Sequence, residues 1–114
     1  MSGAPDPAAY VAAVVTLYVE LPDTPLRASI SDQWLAHRFH NDGVPLHAVE
    51  TALLLGSLRR LIRPADAPGL SPIRSLAYFR PVIDELRMHQ VPESYLDYLR
   101  LKLRQPAAAL PTNV

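Results

Sequence analysis

The sequence predicts an all-α fold, a compact bundle of about five helices. Its 114 residues include only 4 Gly against 12 Pro, and the Pro residues fall mostly where helices would begin or end. Apolar residues recur at intervals of three and four, and no strand-like alternation is present. Hydrophobic residues make up 49% and charged residues 19%, which is typical of a globular core. We expect a single helical domain over residues 1–105 and a loose tail, without periodicity, over residues 106–114.

The first helix is predicted over residues 7–21. Asp6 can cap its amino end, and Pro7 suits the first helical position because the missing N–H would be unpaired there. The predicted inward face contains Tyr10, Val14, Leu17 and Leu21. The apolar run over residues 10–19 is too short to span a membrane, and we expect no membrane association.

The second helix is predicted to start at residue 29 or 31 and to end at residue 41 or 42. Asp32 would lie in its first turn and face the positive end of the helix dipole. Gly43 is predicted to close the helix in a left-handed conformation. The predicted inward stripe contains Ile30, Trp34, Leu35 and Phe39.

The third helix should begin at Pro45 and reach residue 62 or 63 before Pro64. Its apolar face is wide, which predicts the central buried helix of the bundle. That face contains Leu46, Val49, Leu53, Leu54, Leu58, Leu61 and Ile62.

Two shorter helices are predicted after a Pro-rich loop. Ser71 and Pro72 read as the cap and first position of the fourth helix, which Pro81 then kinks or restarts. The fifth helix should run from Pro92 to about Arg104. The predicted inward residues are Leu76, Phe79, Ile83 and Leu86 in the fourth helix and Tyr95, Leu96, Leu99 and Leu103 in the fifth.

No catalytic or metal site is apparent in the sequence. The chain has no Cys, which removes thiol nucleophiles and Cys-based zinc sites and is compatible with a cytoplasmic location. His37 and His40 share one helix face and His47 follows the next turn, but such spacing is more often that of ordinary imidazoles than of ligands. The adjacent acids Asp84 and Glu85 would point about 100° apart on a helix and would not converge. We therefore expect no enzymatic activity, no bound metal and no cofactor.

The charge is distributed unevenly although the formal net charge is zero. Residues 1–58 carry two basic against six acidic residues, and residues 59–114 carry nine basic against five acidic residues. Three tyrosines, Tyr78, Tyr95 and Tyr98, are interleaved with the basic residues and could stack on bases. Candidate phosphate contacts are Arg59, Arg60, Arg63, Arg74, Arg80, Arg100, Lys102 and Arg104. The other interpretation is that cations near helix carboxyl ends simply complement the helix dipole.

One segment resembles a known family. Residues 75–86, Ser-Leu-Ala-Tyr-Phe-Arg-Pro-Val-Ile-Asp-Glu-Leu, resemble the signature helix of DnaD-like replication-initiation and phage replisome-organiser domains. Tyr78, Val82 and Leu86 would match the Tyr, Ile and Trp of that signature. The resemblance covers residues 30–90 at most. It implies a compact helical domain that binds DNA weakly and contacts protein partners or further copies of itself.

Two functions follow as expectations. The first is a stand-alone helical accessory module of a DNA-handling complex, in replication or a mobile element, that binds nucleic-acid backbone through an Arg-rich face. The second is a protein–protein interaction or small structural subunit with no nucleic-acid contact, which the near-zero net charge favours. Basic residues converging on one face would support the first, and an exposed apolar patch would support the second.

Overall fold

The computed structural model describes residues 6–64, 66–89 and 92–104, and it confirms an all-α fold. Within these ranges there are five α-helices, one 3-10 helix and no strand. The helices are α1 (Pro7–Val19), α2 (Ile30–Asn41), α3 (Leu46–Leu61), the 3-10 helix (Leu76–Phe79), α4 (Arg80–Met88) and α5 (Glu93–Arg104). None of these helices is long and apolar enough to cross a membrane. The predicted tail over residues 106–114 lies outside the described residues.

Helices α1 and α2 form an antiparallel hairpin. Asp6 caps α1 by accepting a hydrogen bond from the backbone N–H of Ala9 at 2.8 Å, as predicted. The start of α1 meets the end of α2, where the Tyr10 hydroxyl donates to the Val44 carbonyl at 2.8 Å. Gly43 adopts a φ of 77°, which confirms the predicted left-handed residue after α2.

Helix α3 is the central helix, as predicted. It packs against α1, α4 and α5, and the side chains of Val49, Ala52 and Leu53 are fully buried. At Gly56 the ring of Phe79 lies directly against the backbone, since a Cβ there would be only 2.7 Å from Phe79 Cδ1. The prediction that Leu61 and Ile62 point inward is wrong: both lie at the end of the helix and are exposed.

The inward face predicted for α2 is wrong in two of its four positions. Ile30 is 74% exposed and Trp34 is 68% exposed, whereas Asp32, Ala36 and Phe39 are buried. The reason is that the Asp32 carboxylate is buried and hydrogen-bonded on the face of α2 that meets the rest of the bundle. It completes a capping box with Ser29 and accepts a hydrogen bond from the backbone N–H of Leu76 at 2.9 Å. Ile30 and Trp34 lie on a different face of α2 from Asp32 and are consequently left at the surface.

The fourth helix begins later than predicted. Residues 72–75 are not helical, and the Ile73 N–H donates to the Asp23 carbonyl at 2.8 Å, which ties this segment to the α1–α2 loop. Ser75 rather than Ser71 is the cap, because its hydroxyl accepts from Ala77 N–H. Pro81 lies within the first two positions of α4, where its missing N–H breaks no helical bond. The predicted restart at Pro81 is thus present, but the preceding turn is 3-10.

Helix α5 closes the bundle over α3. Leu96 and Leu99 are buried, and Tyr95 and Leu103 are half-buried, as the spacing predicts.

Candidate functional site: an apolar groove between the first two helices

A groove lies at the surface between α1 and α2. It has a volume of about 830 Å³ and opens to solvent along one side of the hairpin. Its lining consists of Pro7, Ala8, Val11, Ala12, Val15, Ile30, Gln33, Trp34 and His37. No carboxylate, Arg or Lys is among these nine residues.

The groove results from two helices that each have apolar residues on an outer face. In α1 the buried residues are Tyr10, Val14 and Tyr18. Val11 and Val15 lie about 100° further round the helix, on the flank of the buried face, and are only half-buried. No charged residue occurs within α1, and its exposed positions carry small side chains, of which Thr16 is the polar one.

The α2 wall of the groove includes Ile30 and Trp34, two of the four residues predicted to face the core. Ile30, Trp34 and His37 are spaced by four and three residues and therefore share one face of the helix. The indole of Trp34 meets the His37 ring edge-on, with centroids 6.2 Å apart. His37 Nδ1 lies 3.3 Å from the Asn41 side-chain amide. These contacts hold Trp34 at the rim while most of its surface stays open to solvent.

Sequence reasoning missed this groove, although a signal for it was present. A helix that is apolar around its whole circumference must bury its outer face against something. Residues 7–19 come close to that character, since they contain no charge and Thr16 is the polar residue on their outward face. The adjoining helix contains Trp34, which follows Asp32 by two residues and therefore lies on a different face of that helix.

The basic residues that the sequence predicts as phosphate contacts lie in different surroundings, and two of them are in bidentate ion pairs. Arg59 makes a bidentate ion pair with Glu85, at 3.0 and 2.9 Å. The hydrogen bond from Arg59 holds the pKa of Glu85 below its ordinary value and raises the pKa of Arg59. Arg100 makes a bidentate pair with Glu50, at 2.9 and 2.8 Å. Each of these guanidinium groups is already matched to a carboxylate in the geometry that phosphate would use.

Two further arginines hold loops. The Arg60 side chain is only 8% exposed and donates to the Ser71 carbonyl at 2.8 Å and to Asp23 Oδ2 at 3.3 Å. Its guanidinium lies 5.3 Å from the centroid of the Tyr78 ring. Arg63 donates to the Pro68 carbonyl at 2.6 Å. These arginines stabilise the segment between α3 and the 3-10 helix.

Besides Arg63, three of the eight basic candidates make no ion pair with any described residue. Arg74 and Arg80 are exposed at separate surface hollows, the one beside Asp23 and the other beside Trp34. Lys102 lies 5.5 Å from the centroid of the Tyr98 ring. Arg104 ends α5, and its side chain lies outside what the structure describes.

The structure does not gather the paired arginines into one cluster. Glu50 and Arg59 are nine residues apart on α3, which is roughly 13 Å along a helix. Arg100 is paired with Glu50 near the amino end of α3, whereas Arg59 and Arg60 lie near its carboxyl end.

The histidines occupy different surroundings. His37 lines the apolar groove, and the His40 ring packs edge-on against Tyr10 with centroids 5.0 Å apart. His47 lines another hollow, beside Glu50 and Arg100. Within the described ranges, no three His, Asp or Glu side chains are arranged to hold a metal ion.

Comparison with protein-family models, with curated proteins and with solved structures gave no match.

Proposed function

We propose that this protein is a non-enzymatic interaction module whose α1–α2 face binds an apolar helical surface of a protein partner. The exposure of Ile30 and Trp34 beside the uncharged groove is the observation that carries this proposal. A contiguous apolar surface of this kind is characteristic of a binding face, because water contact with it is unfavourable.

The shape of the groove favours a helical partner. Both walls carry apolar residues at helical spacing over two turns, Ala8 to Val15 on one side and Ile30 to His37 on the other. Such a furrow accepts side chains from a third helix that lies along it. Tryptophan is enriched among the residues that dominate the binding energy of protein interfaces. Trp34 lies at the rim of the groove, where a partner can cover it completely.

The test is site-specific crosslinking in the native cell. A photo-reactive phenylalanine analogue replaces Trp34 in one variant and Tyr98 of α5, which is 50% exposed, in a matched control. We expect one protein to be captured at position 34 and not at position 98. After purification that protein should bind the unmodified chain and lose binding to the Ala12→Glu variant. Equal capture at both positions, no capture at position 34, or binding that Ala12→Glu leaves unchanged would contradict the proposal.

A second candidate is the expected role in a DNA-handling complex, with contacts to nucleic-acid backbone. It is supported by Arg74 and Arg80, whose guanidinium groups make no ion pair with any described residue, and by the resemblance of residues 75–86 to DnaD-like domains.

Binding to labelled single- and double-stranded DNA across a salt series tests this second candidate. Two phosphate contacts contribute about 2 to the slope of log affinity against log salt. We therefore expect Arg74→Glu with Arg80→Glu to lower the slope by that amount, and Arg59→Glu to change it less because Arg59 is paired with Glu85. Affinity and slope that the double variant leaves unaltered would remove Arg74 and Arg80 from the interface.

A further inference from the structure

We infer that the partner of the α1–α2 face is the same face of a second copy of this chain, related by a two-fold axis. This inference rests on the proposed function and specifies the partner. Two helical hairpins packed face to face make a four-helix layer, in which each apolar stripe is covered by a helix of the other copy.

The absence of charge in the groove fits a symmetric contact. Near a two-fold axis each residue lies close to its own copy, so a charged lining would place like charges together. The nine lining residues contain no carboxylate and no Arg or Lys. The formal net charge of the whole chain is zero, so two copies experience no net repulsion on approach.

Charges at the ends of the hairpin are also compatible with a second copy. Because the hairpin is antiparallel, Asp6 at the start of α1 and Arg38 near the end of α2 belong to one end. Glu20 after α1 and Arg27 before α2 belong to the other end. Each end thus offers both signs, so neither end presents a cluster of like charge to a second copy.

The face contains both a protrusion and a hollow. Trp34 projects from α2, whereas Ala8 and Ala12 on α1 leave space because their side chains are small. A two-fold contact is reciprocal, so Trp34 of one copy can enter the hollow beside Ala8 and Ala12 of the other while the reverse contact forms. The groove volume of about 830 Å³ accommodates a large aromatic side chain.

The experiment is mass measurement by light scattering and sedimentation of the purified full chain, from low to several hundred micromolar. We expect the mass to rise with concentration toward twice the monomer value. Trp34→Glu and Ala12→Glu should each raise the dissociation constant at least about thirtyfold, because each places a charge within the apolar contact. Tyr98→Glu, on the exposed part of α5, should leave it unchanged. Circular dichroism confirms that each variant keeps its helices.

The outcomes separate this inference from the proposed function. A chain that stays monomeric at every concentration, yet is captured by a different protein at position 34, overturns the two-fold contact and leaves the interaction module standing. A dimer that tolerates both groove substitutions, or that Tyr98→Glu dissociates, places the contact elsewhere and overturns the inference. A monomer with no capture at position 34 overturns both.

Discussion

Asp32 uses its two carboxylate oxygens for two different elements. One oxygen accepts from the backbone N–H of Ser29 at 2.9 Å and completes the cap of α2. The other accepts from the backbone N–H of Leu76 at 2.9 Å, and the Ser75 hydroxyl lies 3.4 Å from it. A single side chain, 1% exposed, therefore fixes the start of α2 against the 3-10 helix.

We expect Asp32→Ala to lower the free energy of unfolding by about 2–4 kcal/mol, because a helix cap is lost and a buried N–H is left unpaired. Urea unfolding followed by circular dichroism measures this loss. Asp42→Ala is the matched control, since Asp42 is exposed at the carboxyl end of the same helix, where an acid has no favourable dipole contact. Similar losses in both variants would contradict the linking role of Asp32.

Two buried tyrosines differ in what their hydroxyls contact. Tyr10 donates to the Val44 carbonyl, whereas the Tyr18 hydroxyl has no hydrogen-bond partner among the described residues. Tyr10→Phe should lower the free energy of unfolding by about 1–2 kcal/mol because it leaves a buried carbonyl unpaired. Tyr18→Phe should leave it unchanged or raise it by up to about 1 kcal/mol. Chemical denaturation of both variants side by side tests the contrast, and a larger loss for Tyr18→Phe would refute it.

The same tyrosines predict instability at alkaline pH. Burial raises the pKa of Tyr10 from 10.0 to about 12, and burial together with the charge of Asp32 raises the pKa of Tyr18 to about 12. In the unfolded chain both phenols ionise near pH 10, so the unfolded state loses protons first. The contribution of the neutral phenols is complete below pH 10 and is lost as the pH rises toward about 12. Thermal midpoints measured across this window should fall, and less steeply in Tyr18→Phe.

At the scale of elements, α3 and the 3-10 helix approach closely at Gly56. A Cβ on Gly56 would lie 2.7 and 2.8 Å from two carbons of the Phe79 ring and 3.7 Å from Val82. The ring is fully buried and cannot move aside freely.

We expect Gly56→Ala to lower the free energy of unfolding by about 1–3 kcal/mol through overpacking, despite the roughly 1 kcal/mol that Ala gains over Gly in a helix. Thermal and urea unfolding measure the loss. Gly69→Ala is the control, because nothing lies within 4 Å of an added Cβ there and its effect should be small. A stabilised Gly56→Ala variant would show that α3 and Phe79 can separate without cost.

Elements set by local chemistry were predictable from sequence, and elements set by distant contacts were not. Asp6 and Gly43 define helix ends through their immediate neighbours, and both were identified correctly. The outward face of α2 depends on Asp32 meeting Leu76, 44 residues away in the chain. Periodicity cannot reveal that contact and therefore predicts that the apolar Trp34 lies in the core.

At the scale of the whole molecule, the uneven charge of the sequence is partly cancelled in space. Asp23 and Glu50 belong to the acidic half of the chain, and each is paired with an arginine of the basic half, Arg60 and Arg100 respectively. The charge asymmetry thus contributes bonds between the two halves, and a count along the sequence cannot distinguish such bonds from a phosphate-binding face.

Salt should act with opposite sign on the two proposed kinds of binding. The groove that we propose as the two-fold contact contains Trp34 and no charged group, so its burial is apolar and is strengthened by salts excluded from protein surfaces, such as sulfate. Contacts of Arg74 and Arg80 with phosphate weaken as counterions compete. We expect added sodium sulfate to lower the dissociation constant of the dimer. We also expect the thermal midpoint to rise with protein concentration in the unmodified chain but not in the Trp34→Glu variant. Light scattering and calorimetry over a sulfate series measure both. A dimer that dissociates as salt rises would be held by charges, and the apolar groove would then not be its interface.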